Sequence, residues 1–121
     1  RELLRGVAAL GAKKVILTGV SFAPDKLGAM GYDSGAGTYF TCLGPRNPAS
    51  FHGTGDIFAA VMLGAMLNGK TVKEACAAAV RYTAKCIEET RKACGDNTIW
   101  GVKFEKCLLF LMHDVLTEND K

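Results

Sequence analysis

Phe51-His52-Gly53-Thr54-Gly55-Asp56 runs without a break into Ile57-Phe58-Ala59-Ala60-Val61-Met62-Leu63-Gly64-Ala65-Met66-Leu67. A turn of small residues thus feeds a helix that is apolar on nearly every side, and such a helix is normally buried in a core. Burial fixes its N-terminus, where several backbone N–H groups lack a partner within the helix. Together with the positive end of the helix dipole, these groups suit a phosphate or a developing anion. Gly53 and Gly55 let a ligand come close to the backbone, and Thr54 adds a hydroxyl donor. Asp56 is the odd member, a carboxylate beside an anion site. It reads either as a helix cap or as a catalytic base. The Gly-Thr-Gly frame and the apolar helix behind it favour the base.

Upstream, residues 2–10 place Leu3, Leu4, Val7, Ala8 and Leu10 near one face of a short helix stopped by Gly11. Val15-Ile16-Leu17-Thr18-Gly19 follows, an apolar run rich in β-branched residues. A helix, a short loop and a buried strand predict a parallel α/β unit. Ligands of open α/β sheets sit beyond the carboxyl ends of strands, where Thr18 and Gly19 fall; the alternative for Gly19 is a plain turn. Residues 27–32 and 38–43 bracket Asp33-Ser34-Gly35-Ala36-Gly37 and predict a β-hairpin. The loop 44–50 is stiffened by Pro45 and Pro48, and its Arg46 reads as a solvated charge before it reads as a phosphate contact.

Downstream, Thr71-Val72-Lys73-Glu74 has the spacing of a capping box. It opens a long helix to about Ala93, ended by Gly95, with Val72, Ala75, Ala79, Tyr82, Cys86 and Ile87 inward. Lys85, Glu88, Glu89, Arg91 and Lys92 face mostly outward, and the alanine-rich middle allows close packing on the 57–67 helix. A last helix near 103–116 carries Phe104, Cys107, Leu108, Leu111, Met112, Val115 and Leu116 at helical spacing, a pattern of core packing. His113-Asp114 beside it reads as structural, and 117–121 as a polar tail.

With 121 residues the chain forms one domain at most, large enough for a core, and its 49% hydrophobic and 22% charged residues exclude wholesale disorder. A net charge of +3, with no stripe of Lys or Arg, argues against nucleic acid, and no apolar run reaches the length of a membrane span. Cys42, Cys76, Cys86, Cys94 and Cys107 contain no CxxC pair; three fall within helical patterns and read as small apolar residues, and reduced thiols fit a cytoplasmic protein. No Gly-Lys-Ser/Thr follows the glycines, and Phe58 stands where a third glycine would complete a dinucleotide fingerprint. A nucleotide site here therefore rests on neither P-loop nor Rossmann logic.

Gly53-Thr54-Gly55-Asp56 with Ile57-Phe58-Ala59-Ala60 resembles the anion-hole motif of the ribokinase-like (PfkB) superfamily of small-molecule kinases. Phe51-His52 and the flanking text are most similar to its pyridoxal/pyridoxamine kinase branch, and the similarity continues to Gly101-Val102-Lys103-Phe104-Glu105. The resemblance implies that residues 1–121 are the C-terminal part of a single α/β, ribokinase-like domain. A parallel strand, a β-hairpin and three helices packed on the sheet are expected, without the N-terminal half that holds most of the vitamer pocket in this family. An exposed apolar surface on the 15–19 strand and the 57–67 helix should result. The implied reaction is ATP-dependent phosphorylation of the hydroxymethyl group of a B6 vitamer (pyridoxal, pyridoxamine or pyridoxine). Asp56 would be the base, Gly53, Thr54 and Gly55 the anion hole, and Thr18, Gly19 and Phe51 nucleotide contacts. Mg²⁺ is implied with ATP, and a monovalent cation such as K⁺ is admitted, with no residue assigned to either ion. The full-length enzyme is expected to be a cytoplasmic homodimer that binds neither nucleic acid nor membrane. Two other readings stay open: a hydroxymethylpyrimidine or sugar kinase of the same superfamily, and a non-catalytic nucleotide-binding fragment.

Overall fold

The computed structural model describes residues 1–95 and 101–116, so the expected tail at 117–121 lies outside the described residues. Helix α1 (Glu2–Ala9) buries Leu4 and leads into a sheet of three strands, β1 (Lys14–Val20), β2 (Lys26–Asp33) and β3 (Thr38–Pro45). The hairpin falls where the glycine-rich turn predicts it. Asp33 Oδ1 accepts from the backbone N–H groups of Gly35 (3.0 Å) and Ala36 (3.2 Å), and Tyr32 stacks on its register partner Tyr39 with ring centroids 4.6 Å apart. The turn geometry and a cross-strand aromatic pair together fix the register.

The α/β class holds, but the expected direction of the first strand needs correcting. The sheet is antiparallel throughout, in the order β1-β2-β3. Only residues 21–25 join β1 to β2, a link that suits antiparallel neighbours, whereas a parallel pair needs a crossover of about a dozen residues. β1 is also largely exposed where a buried strand is expected, with Leu17 at 38%. Among the described residues no strand pairs with its outer edge.

Helix α3 (Val72–Cys94) is the element on which the rest is assembled. Its start is the expected capping box: Thr71 N–H donates to Glu74 Oε2 (2.8 Å), and Glu74 N–H donates back to Thr71 Oγ1 (3.2 Å). The bond from Thr71 N–H, joined by one from Thr71 Oγ1 to the same Oε2 at 2.8 Å, holds the Glu74 carboxyl below the usual carboxylate range. One face of α3 packs Ala75, Ala78, Ala79, Tyr82 and Cys86 against Val61 and Ala65 of α2 (Thr54–Leu67). Another sets Cys76 and Val80 against Ala29 of β2 and Cys42 of β3. The alanines let the helix backbones approach closely, as expected. Of the three helices expected on the sheet, α3 makes the principal contact, and α2 and α4 (Leu108–Leu116) lie chiefly against α3.

Two expectations of burial are met only in part. Helix α2 buries Val61 and Ala65, yet Leu63 is 61% and Leu67 79% exposed. The helix is apolar all round, but among the described residues it packs chiefly on α3; its exposed residues are the surface anticipated for that helix. The last apolar stripe buries Cys107 and Val115, while Phe104, Leu108, Met112 and Leu116 are exposed. That stripe begins in a 3₁₀ turn, Glu105–Cys107, and α4 starts only at Leu108. Eclipsed 3₁₀ spacing followed by α spacing breaks the single face that a continuous helix would present. Asp114 forms a two-point pair with Arg81 at 2.9 and 3.0 Å, fastening α4 to α3, so its role is structural as expected.

Candidate active site

Gly53 is the N-cap of α2 and sits at φ 89°, a left-handed conformation that glycine adopts without steric cost. Thr54, Gly55 and Asp56 are the first three helical residues, and Ile57 N–H makes the first helical bond, to Gly53 O at 3.1 Å. Asp56 is therefore not the cap. Its carboxylate stands exposed in the first turn, and among the described residues no side-chain cap bond forms at this helix start. Thr54 Oγ1 donates to Phe51 O at 3.3 Å, so its hydroxyl ties the turn together. The donors facing outward at the helix start are the backbone N–H groups of the first turn, which have no acceptor within the helix.

Two anchors hold the turn. Phe51 is 3% exposed, so its ring fixes the incoming chain. Val102 N–H donates to His52 O at 3.0 Å, bringing residues 101–104 up behind the turn. That strip is itself bonded to α3: Tyr82 O–H donates to Phe104 O (2.9 Å), and Lys103 N–H donates to Thr90 Oγ1 (2.8 Å).

A cavity of about 650 Å³ opens beside the turn, within the size range of small-molecule sites. Thr18, Gly19, Phe51, Thr54 and Gly55, chosen from the sequence, all line it. Gly19 owes its place to a bulge: the β1–β2 register shifts between Thr18 and Val20, and Gly19 takes φ 72°. The bulge bends the strand end. Gly53 and Asp56 belong to the same turn but not to the cavity lining. Arg46 also lines the cavity, its backbone N–H donating to Asp25 O at 2.8 Å.

The far wall was not legible in the sequence. Val80, Thr83, Ala84 and Ile87 of α3 form it, with Leu27 and Gly28 of β2 and Phe58 of α2. Ile87 reads from the sequence as a core residue; only the polar Thr83 within an apolar stripe hints at another use. Thr83 Oγ1 is buried and has no hydrogen-bond partner among the described residues. Such an orphaned hydroxyl costs roughly 1–3 kcal/mol.

All five cysteines are free thiols, and four are buried. Burial, reinforced by the neighbouring Cys42, pushes the Cys76 thiol up to about 12. Burial and the neighbouring Cys107 do the same to Cys86, again to about 12. Both are protonated packing residues at neutral pH and poor nucleophiles. Among the described residues no cluster of three or more His, Cys, Asp or Glu forms a metal site.

The family model for phosphomethylpyrimidine kinase matches residues 1–99. The chain belongs to the phosphomethylpyrimidine kinase family. Pyridoxal kinase from Lactobacillus plantarum superposes with a TM-score of 0.80 at 27% identity, over 97% of this chain and 41% of that one. A candidate phosphomethylpyrimidine kinase of Bacteroides thetaiotaomicron, crystallised with pyridoxal, gives 0.68 at 26% identity, over 99% of this chain and 40% of that one. Pyridoxal kinase from Leishmania donovani, in complex with ADP and pyridoxamine, gives 0.75 at 19% identity, over 88% and 38%, a likeness of fold alone. No curated protein matches the chain. The ribokinase-like resemblance is thus borne out, in a chain that spans 38% to 41% of the length of these three proteins.

Proposed function

We propose that the whole protein is an ATP-dependent small-molecule kinase that phosphorylates the hydroxymethyl group of a B6 vitamer. One observation carries this reading. The glycine turn at the start of α2 borders a cavity of nucleotide size on one side and presents an exposed carboxylate, Asp56, outside that cavity. Phosphoryl transfer needs positioning and charge stabilisation more than covalent help. The N–H groups of the Gly53-Thr54-Gly55 turn would stabilise the transferring phosphoryl, and Asp56 would orient the acceptor hydroxyl and take its proton late in the step. Thr18, Gly19 and Phe51, on the cavity wall, would contact the nucleotide. When bound, Mg²⁺ would supply positive charge that offsets the charge of the phosphates; no residue of this chain is assigned to it or to a monovalent cation.

We read residues 1–121 as the C-terminal part of one kinase domain whose remainder supplies most acceptor contacts, and the whole enzyme as a cytoplasmic homodimer. The free thiols are consistent with a reducing compartment. Among the described residues no helix is long and apolar enough to cross a membrane.

The test is Asp56→Asn in the whole protein, with ADP release measured against pyridoxal, pyridoxamine and pyridoxine. If Asp56 is the base, kcat should fall by roughly two to four orders of magnitude. ATP affinity should hold or improve, since a negative charge near the phosphates is gone. Turnover within a few-fold of the unsubstituted protein would refute the assignment. The description of the matching family favours a second reading, in which the acceptor is a hydroxymethylpyrimidine. A higher kcat/KM for hydroxymethylpyrimidine than for any B6 vitamer would decide for it.

A further inference from the structure

We propose that the Thr83 hydroxyl is a specificity-determining contact for the nucleobase, turning into the cavity when a nucleotide is bound. This rests on reading the cavity as the nucleotide site and goes beyond it by assigning a residue to the base. Thr83 and Thr90 lie seven residues, about two turns, apart on α3. Thr90 satisfies its hydroxyl fully, donating to Cys86 O at 2.6 Å, one turn back, and accepting from Lys103 N–H at 2.8 Å. Thr83 makes neither kind of bond. Its oxygen is buried with no partner among the described residues, although the residue lines the cavity. A valine would fill the same shape without that penalty.

The wall around it is otherwise apolar, formed by Val80, Ala84 and Ile87 with Leu27 and Phe58. Such a wall suits the faces of a flat heteroaromatic ring but cannot tell one ring edge from another. A nucleobase carries ring nitrogens that accept and exocyclic groups that donate or accept. A hydroxyl can answer either. Threonine in a helix has two accessible χ1 rotamers, so exchanging its methyl and hydroxyl needs no movement of the helix.

The experiment measures binding of ADP and of inorganic tripolyphosphate, which has no base, by calorimetry on the whole protein. Thr83→Val should weaken ADP roughly three- to tenfold and leave tripolyphosphate unchanged, the effect of losing one neutral hydrogen bond. Thr83→Ser, which keeps the hydroxyl, should restore ADP affinity. The ligand-free Thr83→Val protein should melt no lower than the unsubstituted one, because the deleted oxygen had no partner. Unchanged ADP affinity in Thr83→Val would overturn the assignment and leave the nucleotide site standing. Equal weakening of both ligands would overturn it too, by moving the effect to the phosphates. An unsubstituted protein that binds tripolyphosphate but gains nothing from the base of ADP would overturn the assignment alone, and one that binds neither would overturn the nucleotide site with it.

Discussion

Thr90→Val is a change one turn beyond the cavity wall that should weaken both the fold and the site. Thr90 is 1% exposed, and its hydroxyl joins α3 to the strip 101–104 through the 2.8 Å bond from Lys103 N–H. Valine keeps the shape and removes the acceptor. Cys86 O keeps its helical N–H partner, so the loss falls on Lys103 N–H, which is left without an acceptor in a part-buried setting. A donor orphaned in this way costs roughly 1–3 kcal/mol. The same strip holds the glycine turn from behind through Val102 N–H to His52 O. Slack there should therefore reach Gly53 and raise the KM for ATP, while Asp56 and the cavity lining are chemically untouched. Urea unfolding is the assay, read as a lower midpoint at unchanged slope, with KM measured on the same preparation. Thr90→Ser, which keeps the hydroxyl, should recover most of the stability. A Thr90→Val protein within about 0.3 kcal/mol of the unsubstituted one would refute the reasoning, since surface-like tolerance is incompatible with a needed buried acceptor.

The two glycines of the turn should fail differently. Gly55 lines the cavity with open space where a Cβ would stand, so Gly55→Val should fold normally and lose nucleotide affinity; unchanged ADP binding would place the phosphates elsewhere. Gly53→Ala should cost about 1–2 kcal/mol of stability, because it forces a side chain to φ 89°. The exposed apolar face of α2 should make the isolated 121-residue polypeptide self-associate. Leu63→Gln with Leu67→Gln should reduce that association in sedimentation velocity without lowering the melting temperature, and a monomeric, cooperatively folding unsubstituted polypeptide would count against the idea.

Local chemistry was legible from the chain; what meets what was not. The Thr71–Glu74 box, the Gly95 stop and the turn at residues 33–37 depend on neighbours within a few residues, and all three form as their spacing predicts. The direction of β1 does not depend on neighbours of that kind. A β-branched run predicts a strand, while its pairing is set by the five-residue link that follows and by the strand beyond. The 104–116 stripe illustrates the same limit, since helical spacing says that a helix has an apolar side and not that anything covers it. The cavity wall is the clearest case. Val80, Ala84 and Ile87 are as apolar as Ala75 and Ala79, so periodicity alone could not separate the wall from the core. The residues expected at the nucleotide were chosen because the glycine turn and a strand end carry distinct local signatures, and the fold brings Thr18, Gly19 and Phe51 to one cavity.

The glycine turn is held by its surroundings and not by its own side chains, which bears on what it can do. Gly53 and Gly55 have none to offer, and the hydroxyl of Thr54 is engaged with Phe51 O. Position comes instead from the buried Phe51 ring and from Val102 N–H pulling on His52 O, a strip itself fastened to α3 by Tyr82 and Thr90. Every one of these restraints acts on the residues before the turn or on the helix behind it. None uses the first-turn N–H groups, which have no helical acceptor. Donors fixed in this way need not reorganise when charge develops in front of them, and that is the condition under which hydrogen bonds stabilise a transition state more than a ground state. The packing of α3 on Val61 and Ala65 holds the body of α2, while Phe51 and the 101–104 strip hold the turn whose N–H groups the proposed chemistry would use.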